Sequence, residues 1–189
     1  MDSSPIHDTA ATRTGEGPAL TPVVEPRWWR LFNAMQRLPV WSERWRRRML
    51  RRAGCQMAYN ATVCEDVFVG GPNLRMDAGT FVNVGCLLDG NAPIHIGEGA
   101  RLGPRVLILT GTHEYQPTVM RRLPGKGNIN LPVVISRGCW IGIGTIIMPG
   151  VTVAEGCVVG AGSVVLKSTE PNGLYAGNPA RRVRDLPVR

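Results

Sequence analysis

The stretch from Ile135 to Val165 reads ISRGCW IGIGTI IMPGVT VAEGCV VGAGSV V, and isoleucine or valine opens every group of six. A period of six matches neither the 3.6 residues of a helical turn nor the alternation of a free strand. It is typical of short strands joined by tight turns, where each strand sends one aliphatic side chain inward and glycine takes the turn positions. Three such groups predict one triangular coil of a β-helix, with successive coils about 4.8 Å apart.

Several of these hexads resemble the repeats of the hexapeptide-repeat acyltransferases: IGIGTI at 141–146, IMPGVT at 147–152 and VGAGSV at 159–164. The likeness is strongest from Ile94 to Arg184 and weaker back to Val63. Within this family, the sequence resembles above all the branch of maltose, galactoside and exopolysaccharide (colanic acid-type) O-acetyltransferases. The resemblance implies an all-β fold, a left-handed parallel β-helix with N-terminal short helices and one projecting loop, which is an exception to right-handed crossover.

The 189 residues suit one domain with appendages. Low apolar periodicity predicts a disordered tail over 1–25. A basic amphipathic helical segment is predicted over 26–57 and the β-helix over 58–167, with a loop over 113–132. Residues 168–189 are predicted to be a C-terminal extension that ends in a short basic helix or tail.

The charge and cysteine content narrow the classes of partner. A formal charge of +8, carried almost wholly by arginine, favours a membrane surface or a phosphate-bearing cofactor. No nucleic-acid motif accompanies it, so no nucleic-acid partner is expected. Five cysteines without a C-x-x-C pair indicate neither a disulfide framework nor a zinc knuckle. With no visible signal peptide or apolar span of about 18 residues, we expect a cytoplasmic protein.

The segment from Pro26 to Gly54 combines nine arginines with apolar residues at helical spacing, among them Trp28, Leu31, Phe32, Met35 and Leu38. Two short amphipathic helices are predicted, the second ending near Gly54. Their apolar face could cap the open end of the β-helix, which otherwise exposes an unpaired strand edge. Alternatively, residues 26–54 could make peripheral contact with the inner face of a membrane, where a lipid-linked sugar would be the acceptor. The two interpretations are compatible.

From Ala58 to Asp89 the repeat is irregular. Val63 and Val69 keep one phase of six and Ala78 and Val84 another, which predicts about two imperfect coils.

After the regular hexads of 96–108 the repeat breaks for about twenty residues, from His113 to Pro132. A loop of this length inside a compact domain is usually functional or disordered.

The motif Thr110-Gly-Thr-His113 resembles the catalytic T-x-x-H of the family, which implies that His113 is a general base. Glu114 follows it where the family has Pro or Asp, so the residue that orients the imidazole is undetermined. In the stretch FVNVGCLLD at 81–89, Asn83 matches the family asparagine that faces the acceptor hydroxyl. Alternatively, Asn83 is a turn amide that bonds local backbone.

The resemblance also implies a site for acetyl-CoA. Trp140 matches the tryptophan near the thiol end of pantetheine, with an exposed aromatic between subunits as the alternative. The backbone N–H of Ile143 matches the oxyanion donor, and Ala161 with Gly162 matches the small pair beside the pantetheine arm. The matched basic residues reaching the coenzyme phosphates are Lys167, Arg181 and Arg184. The family forms homotrimers, which implies His113 from one chain and Trp140 from its neighbour.

His95 lies eighteen residues before His113, at the same position of the repeat, so the two could stack one coil apart. Zinc normally takes three or four protein ligands and the third histidine lies in the tail, so no metal is expected. We interpret His95 as a solvent-facing turn residue.

The sequence thus predicts an acyltransferase that moves an acetyl group from acetyl-CoA to a hydroxyl of a sugar, or of a polysaccharide or lipid-linked sugar precursor. Two alternatives stay open, a non-catalytic oligomeric β-helix scaffold and a sugar N-acetyltransferase, whereas the number of histidines disfavours a metal-dependent hydratase.

Overall fold

The structure is a computed structural model that describes residues 27–115, 119 and 127–188. The tail predicted over 1–25 and much of the loop predicted over 113–132 lie outside these residues. Two helices, α1 (Arg27–Gln36) and α2 (Glu43–Arg52), precede the strands. The strands are β1 (Gln56–Met57), β2 (Thr62–Val63), β3 (Phe68–Val69), β4 (Leu74–Met76), β5 (Phe81–Val82), β6 (Leu87–Leu88), β7 (Ile94–Ile96), β8 (Arg101–Leu102), β9 (Leu107–Ile108), β10 (Gly111–His113), β11 (Asn128–Asn130), β12 (Val133–Ile135), β13 (Trp140–Ile141), β14 (Ile146–Ile147), β15 (Thr152–Val153), β16 (Val158–Val159), β17 (Val164–Val165), β18 (Gly173–Gly177) and β19 (Ala180–Asp185).

Three stacked sheets form the walls of a parallel β-solenoid of about six turns, which confirms the predicted fold class. The first sheet has the order β1-β4-β7-β12-β15, the second β2-β5-β8-β13-β16-β18-β19, and the third β3-β6-β9-β14-β17. Each turn therefore passes once through every sheet. We call the corner between the second and third sheets the second corner, and the corner between the third and first sheets the third corner.

The predicted six-residue period is the buried core of the solenoid. The aliphatic side chains that open the hexads are at most 2% exposed: Ile135, Ile141, Ile147, Val153, Val159 and Val165. Cys139 and Cys157 are buried in the same stack, as predicted. One inward side chain per strand is enough because the prism is thin, and each coil covers the next.

The predicted phase is confirmed in the first coil, where Val63 and Val69 are buried, but it is wrong in the second. The inward positions there are Met76, Val82 and Leu88, whereas Ala78 and Val84 are only partly buried. Ile141 lies 18 residues before its stacked partner Val159, but Val82 lies 20 before its partner Leu102. Extra residues in the turns of the early coils therefore shift the phase while the stacking is maintained.

Polar side chains of α1 close the exposed edge of the first coil. Trp29 Nε1 donates to the Val69 carbonyl at 2.7 Å, and the Asn33 amide both donates to that carbonyl and accepts from the Val69 N–H. Gln36 donates to the Val67 carbonyl at 2.8 Å. These bonds replace the strand that would otherwise pair with β3, so the helix satisfies buried backbone groups that would be costly to leave unpaired.

Arg46 of α2 joins this cap from the buried side of the second helix. Its side chain is 1% exposed and donates to four carbonyls, those of Gln36, Leu38, Trp41 and Val63. Burial lowers the pKa of this guanidinium from its ordinary value. One buried arginine therefore ties both helices and β2 together.

The capping role of the helices is confirmed, and Met49 and Leu50 of α2 are buried as apolar capping requires, but most of the predicted apolar face of α1 stays exposed. Four apolar side chains of that face are exposed by 41–73%: Trp28, Leu31, Met35 and Leu38. The strand edge presents backbone donors and acceptors, so amides and one indole N–H are the side chains that fit it. None of the helices in the described part of the chain is long and apolar enough to cross a membrane.

The C-terminal segment also differs from its prediction. Residues 173–185 form an antiparallel hairpin of β18 and β19 rather than a short helix or tail. Strand β18 continues the second sheet by pairing in parallel with β16, so the solenoid extends beyond residue 167. The guanidinium of Arg182 lies 5.6 Å from the ring centre of Tyr175 and donates to the Glu170 and Pro171 carbonyls.

Candidate active site

His113 ends β10, which pairs with β11 in a two-stranded stem that leaves the coil at the third corner. It pairs with Asn128 across the antiparallel ladder of β10 and β11, and its Nδ1 lies 2.9 Å from Asn128 Oδ1. An amide oxygen only accepts hydrogen bonds, so in the neutral imidazole this contact selects the tautomer with the proton on Nδ1 and the lone pair on Nε2. His113 is exposed, which leaves Nε2 accessible to a substrate. Sequence reasoning missed Asn128, because pairing of β10 with β11 is visible only after folding.

Asp89 fixes the root of this stem. Its Oδ2 accepts from the N–H and hydroxyl of Thr110 and from the N–H of Gly111, at 2.9–3.0 Å. Its Oδ1 accepts from Asn91 at 2.8 Å. The first residues of the Thr110-Gly-Thr-His113 motif are thus held by charge-assisted bonds, which are stronger than neutral ones. The sequence placed Asp89 beside Asn83 without indicating this anchoring role.

Asn83 lies at the second corner, directly after β5. Its Oδ1 accepts from the neighbouring Val84 N–H at 2.8 Å, and its own N–H donates to the Leu102 carbonyl. This is the local turn bond that sequence reasoning held as the alternative to an acceptor contact. Within one protomer, Asn83 and His113 lie at different corners of the prism.

Ile143, Ala161 and Gly162 stack at the second corner, one coil apart. The Gly162 N–H donates to the Ile143 carbonyl at 2.9 Å. A Cβ on Gly142 would sit 2.6 Å from the Ala161 nitrogen, so the coils approach too closely here for any side chain. Among the described residues, the Ile143 N–H has no acceptor. These positions form a smooth ridge with a free backbone donor on it.

Trp140 and Arg184 lie on the outward face of the second sheet, in one column. Trp140 pairs with Val158, Val158 with Leu174, and Leu174 with Arg184. Three strand spacings separate the ends of this column, about 14 Å. Trp140 is 60% exposed, which fits both the coenzyme contact and the subunit contact that the sequence left open.

A β-bulge in the terminal hairpin brings Arg181 and Arg184 to the same face. Arg181 pairs with Ala176 and Arg184 with Leu174, on either side of the register shift. Three residues apart on a regular strand, the two arginines would face opposite sides. Arg182 pairs with Tyr175 on the inner side. The bulge therefore places Arg181 and Arg184 on the outward face, while Arg182 makes contacts within the fold.

Lys167 is exposed just after β17, at the third corner of the fifth coil. It does not share the column of Arg181 and Arg184 within one protomer. The predicted site residues are divided between two parts of the prism. His113 and Lys167 lie at the third corner, whereas Trp140 lies on the second sheet and Ile143 at the second corner. One protomer therefore does not bring the predicted base and the predicted oxyanion donor together.

The thiols are unsuited to nucleophilic chemistry. All five cysteines are buried, and burial raises the pKa of Cys55 to about 12 and those of Cys86 and Cys139 to about 11. A protonated thiol is a poor nucleophile, so a covalent cysteine intermediate is not favoured.

His95 does not stack on His113, and the interpretation of His95 as a turn residue is wrong. His95 lies within β7, between Arg75 and Val134, and its Nε2 is 2.7 Å from Asp77 Oδ2. His113 leaves the coil on β10 instead. Within the described ranges, no three His, Cys, Asp or Glu side chains are grouped as metal ligands.

Comparison with known proteins agrees with the repeat and the fold. A family model for the bacterial transferase hexapeptide (six repeats) matches residues 132–167. Nodulation protein L of Rhizobium leguminosarum bv. viciae is 39% identical over 145 residues, which cover 74% of this chain and 72% of that protein. A Dictyostelium discoideum protein named as an acetyltransferase is 42% identical over 119 residues, but the chain spans only 61% of its length.

Two solved structures share the architecture. A maltose O-acetyltransferase from Clostridium difficile 630 superposes with a TM-score of 0.71 at 28% identity, covering 85% of this chain and 86% of that one. A hexapeptide-repeat acetyltransferase from Vibrio cholerae O1 biovar eltor, complexed with acetyl coenzyme A, gives 0.76 at 28% identity, with coverage of 85% and 86%. The regular hexads, the solenoid that they build and these similarities together show that the chain belongs to the hexapeptide-repeat transferase family.

Proposed function

We propose that this protein transfers the acetyl group of acetyl-CoA to a hydroxyl of a sugar, or of a polysaccharide or lipid-linked sugar precursor. The hydrogen bond from His113 Nδ1 to Asn128 carries the proposal, because it leaves Nε2 as an accessible base on the projecting stem. Nε2 takes the hydroxyl proton as the acceptor oxygen attacks the thioester carbon. The C–S bond then breaks, and the imidazolium returns the proton to the thiolate.

The donor side uses the ridge at the second corner. The free N–H of Ile143 would hold the developing oxyanion, a type of contact whose loss costs about 10²–10³ in rate elsewhere. Ala161 and Gly162 offer a surface without bulky side chains, along which an extended pantetheine arm can lie. Trp140 would contact the thiol end from the adjoining sheet face.

The coenzyme phosphates would bind at the C-terminal end of the solenoid. Arg181 and Arg184 share one face there, and Arg184 ends the column that begins at Trp140. This direction suits a ligand whose thioester lies near Trp140 and whose phosphates lie at the hairpin. Lys167 would contribute from a neighbouring subunit.

A homotrimer would complete the site. His113 and Ile143 lie at different corners of one prism, so a second copy is needed to bring base and oxyanion donor together. In this arrangement, His113 from one protomer faces Trp140 and Ile143 of the next. Asn83, whose amide oxygen is used by a local turn, would reach the acceptor through its NH₂ group.

The sugar acceptor is supported by the maltose O-acetyltransferase named among the solved structures. A lipid-linked precursor fits the basic helical segment over 26–54, through which the protein would touch the inner face of a membrane from the cytoplasm. The acceptor hydroxyl and the membrane contact are separate parts of the proposal.

Thiol release from acetyl-CoA across a panel of sugars, amino sugars and lipid-linked sugars tests the reaction. We expect acceptor-dependent release that falls by roughly 10² or more in His113→Ala. Release unchanged by the substitution would contradict His113 as the base. Turnover of amino sugars alone would indicate N-acetylation, and failure to bind coenzyme A would favour the scaffold.

A further inference from the structure

A stripe of apolar side chains on α1 faces solvent. We call it the apolar stripe: Trp28, Leu31, Met35 and Leu38, exposed by 53%, 73%, 41% and 47%. Spacings of three and four residues place Trp28, Leu31 and Met35 on one face of α1, and Leu38 follows two residues after the helix ends. At 3.6 residues per turn this face lies roughly opposite the buried Trp29, Asn33 and Gln36. The stripe is therefore available while the cap stays in place.

A concentration of positive charge lies on the outward side of α2. A groove of about 690 Å³ is lined by Ser42, Trp45 and Tyr59 and by five arginines, Arg44, Arg47, Arg48, Arg51 and Arg52. We call it the arginine groove. Arg47 donates to the Ala61 carbonyl. The other four guanidinium groups have no acceptor among the described residues, so their charge is available to an anionic partner.

Trp41 connects the two surfaces. Its Nε1 donates to the Met35 carbonyl at 3.0 Å, at the end of the apolar stripe. Its ring stacks on that of Trp45, with 4.1 Å between the ring centroids and 12° between their planes. Because Trp45 lines the arginine groove, the stripe and the groove are neighbouring parts of one surface.

We propose that the apolar stripe and the arginine groove together form a docking surface for an anionic phospholipid membrane, which rests on the membrane contact in the proposed function and assigns it to these residues. Tryptophan, leucine and methionine side chains insert at the headgroup and acyl boundary, while arginines bind lipid phosphates beside them. A soluble anion would account for the groove but leaves the stripe without a partner. A second copy that docked stripe to stripe would bring two unneutralised arginine grooves close to each other, which like-charge repulsion opposes.

Vesicle sedimentation of the full chain tests this surface. Vesicles of about 30% phosphatidylglycerol in phosphatidylcholine are compared with pure phosphatidylcholine vesicles, at about 50 and about 500 mM salt, because salt screens the attraction between arginines and anionic lipids. The stripe variant carries Trp28→Ser, Leu31→Ser and Met35→Ser. The groove variant carries Arg44→Gln, Arg48→Gln and Arg51→Gln. A control with the same loss of charge carries Arg75→Gln, Arg105→Gln and Arg137→Gln on the solenoid wall.

We expect binding to the anionic vesicles at low salt. Each arginine at a membrane surface contributes about fivefold, so the groove variant is expected to bind about 100-fold more weakly. The stripe variant should lose about tenfold or more at either salt concentration. The control should stay within about threefold, because its charges lie away from the surface. All replaced side chains are exposed, so thermal unfolding should be unchanged in the stripe and groove variants.

Several results would overturn the proposal. The first is that the full chain does not bind anionic vesicles at low salt. The second is that the stripe and groove variants bind as tightly as the unchanged chain. The third is that the unchanged chain binds neutral vesicles as tightly as anionic ones. Binding that appears only after removal of residues 1–25 would show that the chain covers its own surface. A change of oligomeric mass in the stripe variant, measured by light scattering, would assign the stripe to contacts between copies.

Discussion

The imidazole of His113 and the amide of Asn128 face each other across a two-stranded antiparallel ladder, with 2.9 Å between Nδ1 and Oδ1. The ladder continues through the pair Gly111 and Asn130, next to the residues held by Asp89. The backbone thus fixes the distance between imidazole and amide, and the amide fixes the tautomer. The arrangement resembles a catalytic triad, in which one group orients the histidine and the histidine acts as the base.

Replacing Asn128 should separate orientation of the imidazole from binding. We expect Asn128→Ala to lower kcat by about 10–100-fold with little change in KM for acetyl-CoA, because the reactive tautomer is no longer selected. In Asn128→Asp a carboxylate stabilises the protonated imidazole, so the acid limb of the pH–rate profile should move to higher pH. An unchanged kcat in the alanine variant would show that the hydrogen bond has no catalytic role.

Arg184 and Arg182 provide a matched test of the phosphate site, since they are two residues apart on β19. Arg184 is exposed on the outward column, so Arg184→Ala should raise KM for acetyl-CoA about tenfold and leave thermal stability unchanged. Arg182 holds Tyr175, Asp185 and two carbonyls, so Arg182→Ala should lower the melting temperature instead. Steady-state kinetics and thermal unfolding distinguish the two. The same KM effect from both variants would argue against a specific phosphate contact.

Gly142 should be intolerant of a side chain. In Gly142→Ala the new Cβ would lie 2.6 Å from the Ala161 nitrogen and 2.9 Å from its Cα, and both are backbone atoms of the next coil. We expect a loss of about 1–3 kcal/mol in the free energy of unfolding, as for other overpacked interiors. The control is Gly138→Asn, where nothing lies within 4 Å and asparagine tolerates the positive φ of 69°. Equal losses in chemical denaturation would contradict the close approach of the coils.

The interaction between Asp77 and His95 should make the free energy of unfolding depend on pH in the acidic range. Burial raises the pKa of Asp77, but hydrogen bonds from His95 and Arg75 outweigh it and hold that pKa below its ordinary value of 3.8. A lowered carboxyl pKa stabilises the fold above the unfolded value, and this contribution is lost as pH falls through the folded value. Wild type should therefore exceed Asp77→Asn in stability at pH 6, and the difference should shrink below about pH 3.8. A difference independent of pH in urea titrations would contradict this.

The hexads allowed the core to be predicted residue by residue over 135–165, because each coil there has the same length. In the second coil the same reasoning chose Ala78 and Val84, since extra turn residues shift the phase without changing any single strand. The His113 motif was visible as a break in the repeat. Asn128 was not, because it comes from the far end of the loop and meets His113 only through strand pairing.

The sequence by itself determined the coil, since one aliphatic residue in six and glycine in the turns leave few other ways to bury a thin core. It also determined that residues 26–54 are helical and basic. Only the tertiary structure decided which face of α1 is inside. The open strand edge of the first coil needs hydrogen-bond partners more than it needs apolar cover, so Asn33 and Gln36 lie against it and Leu31 is left in solvent.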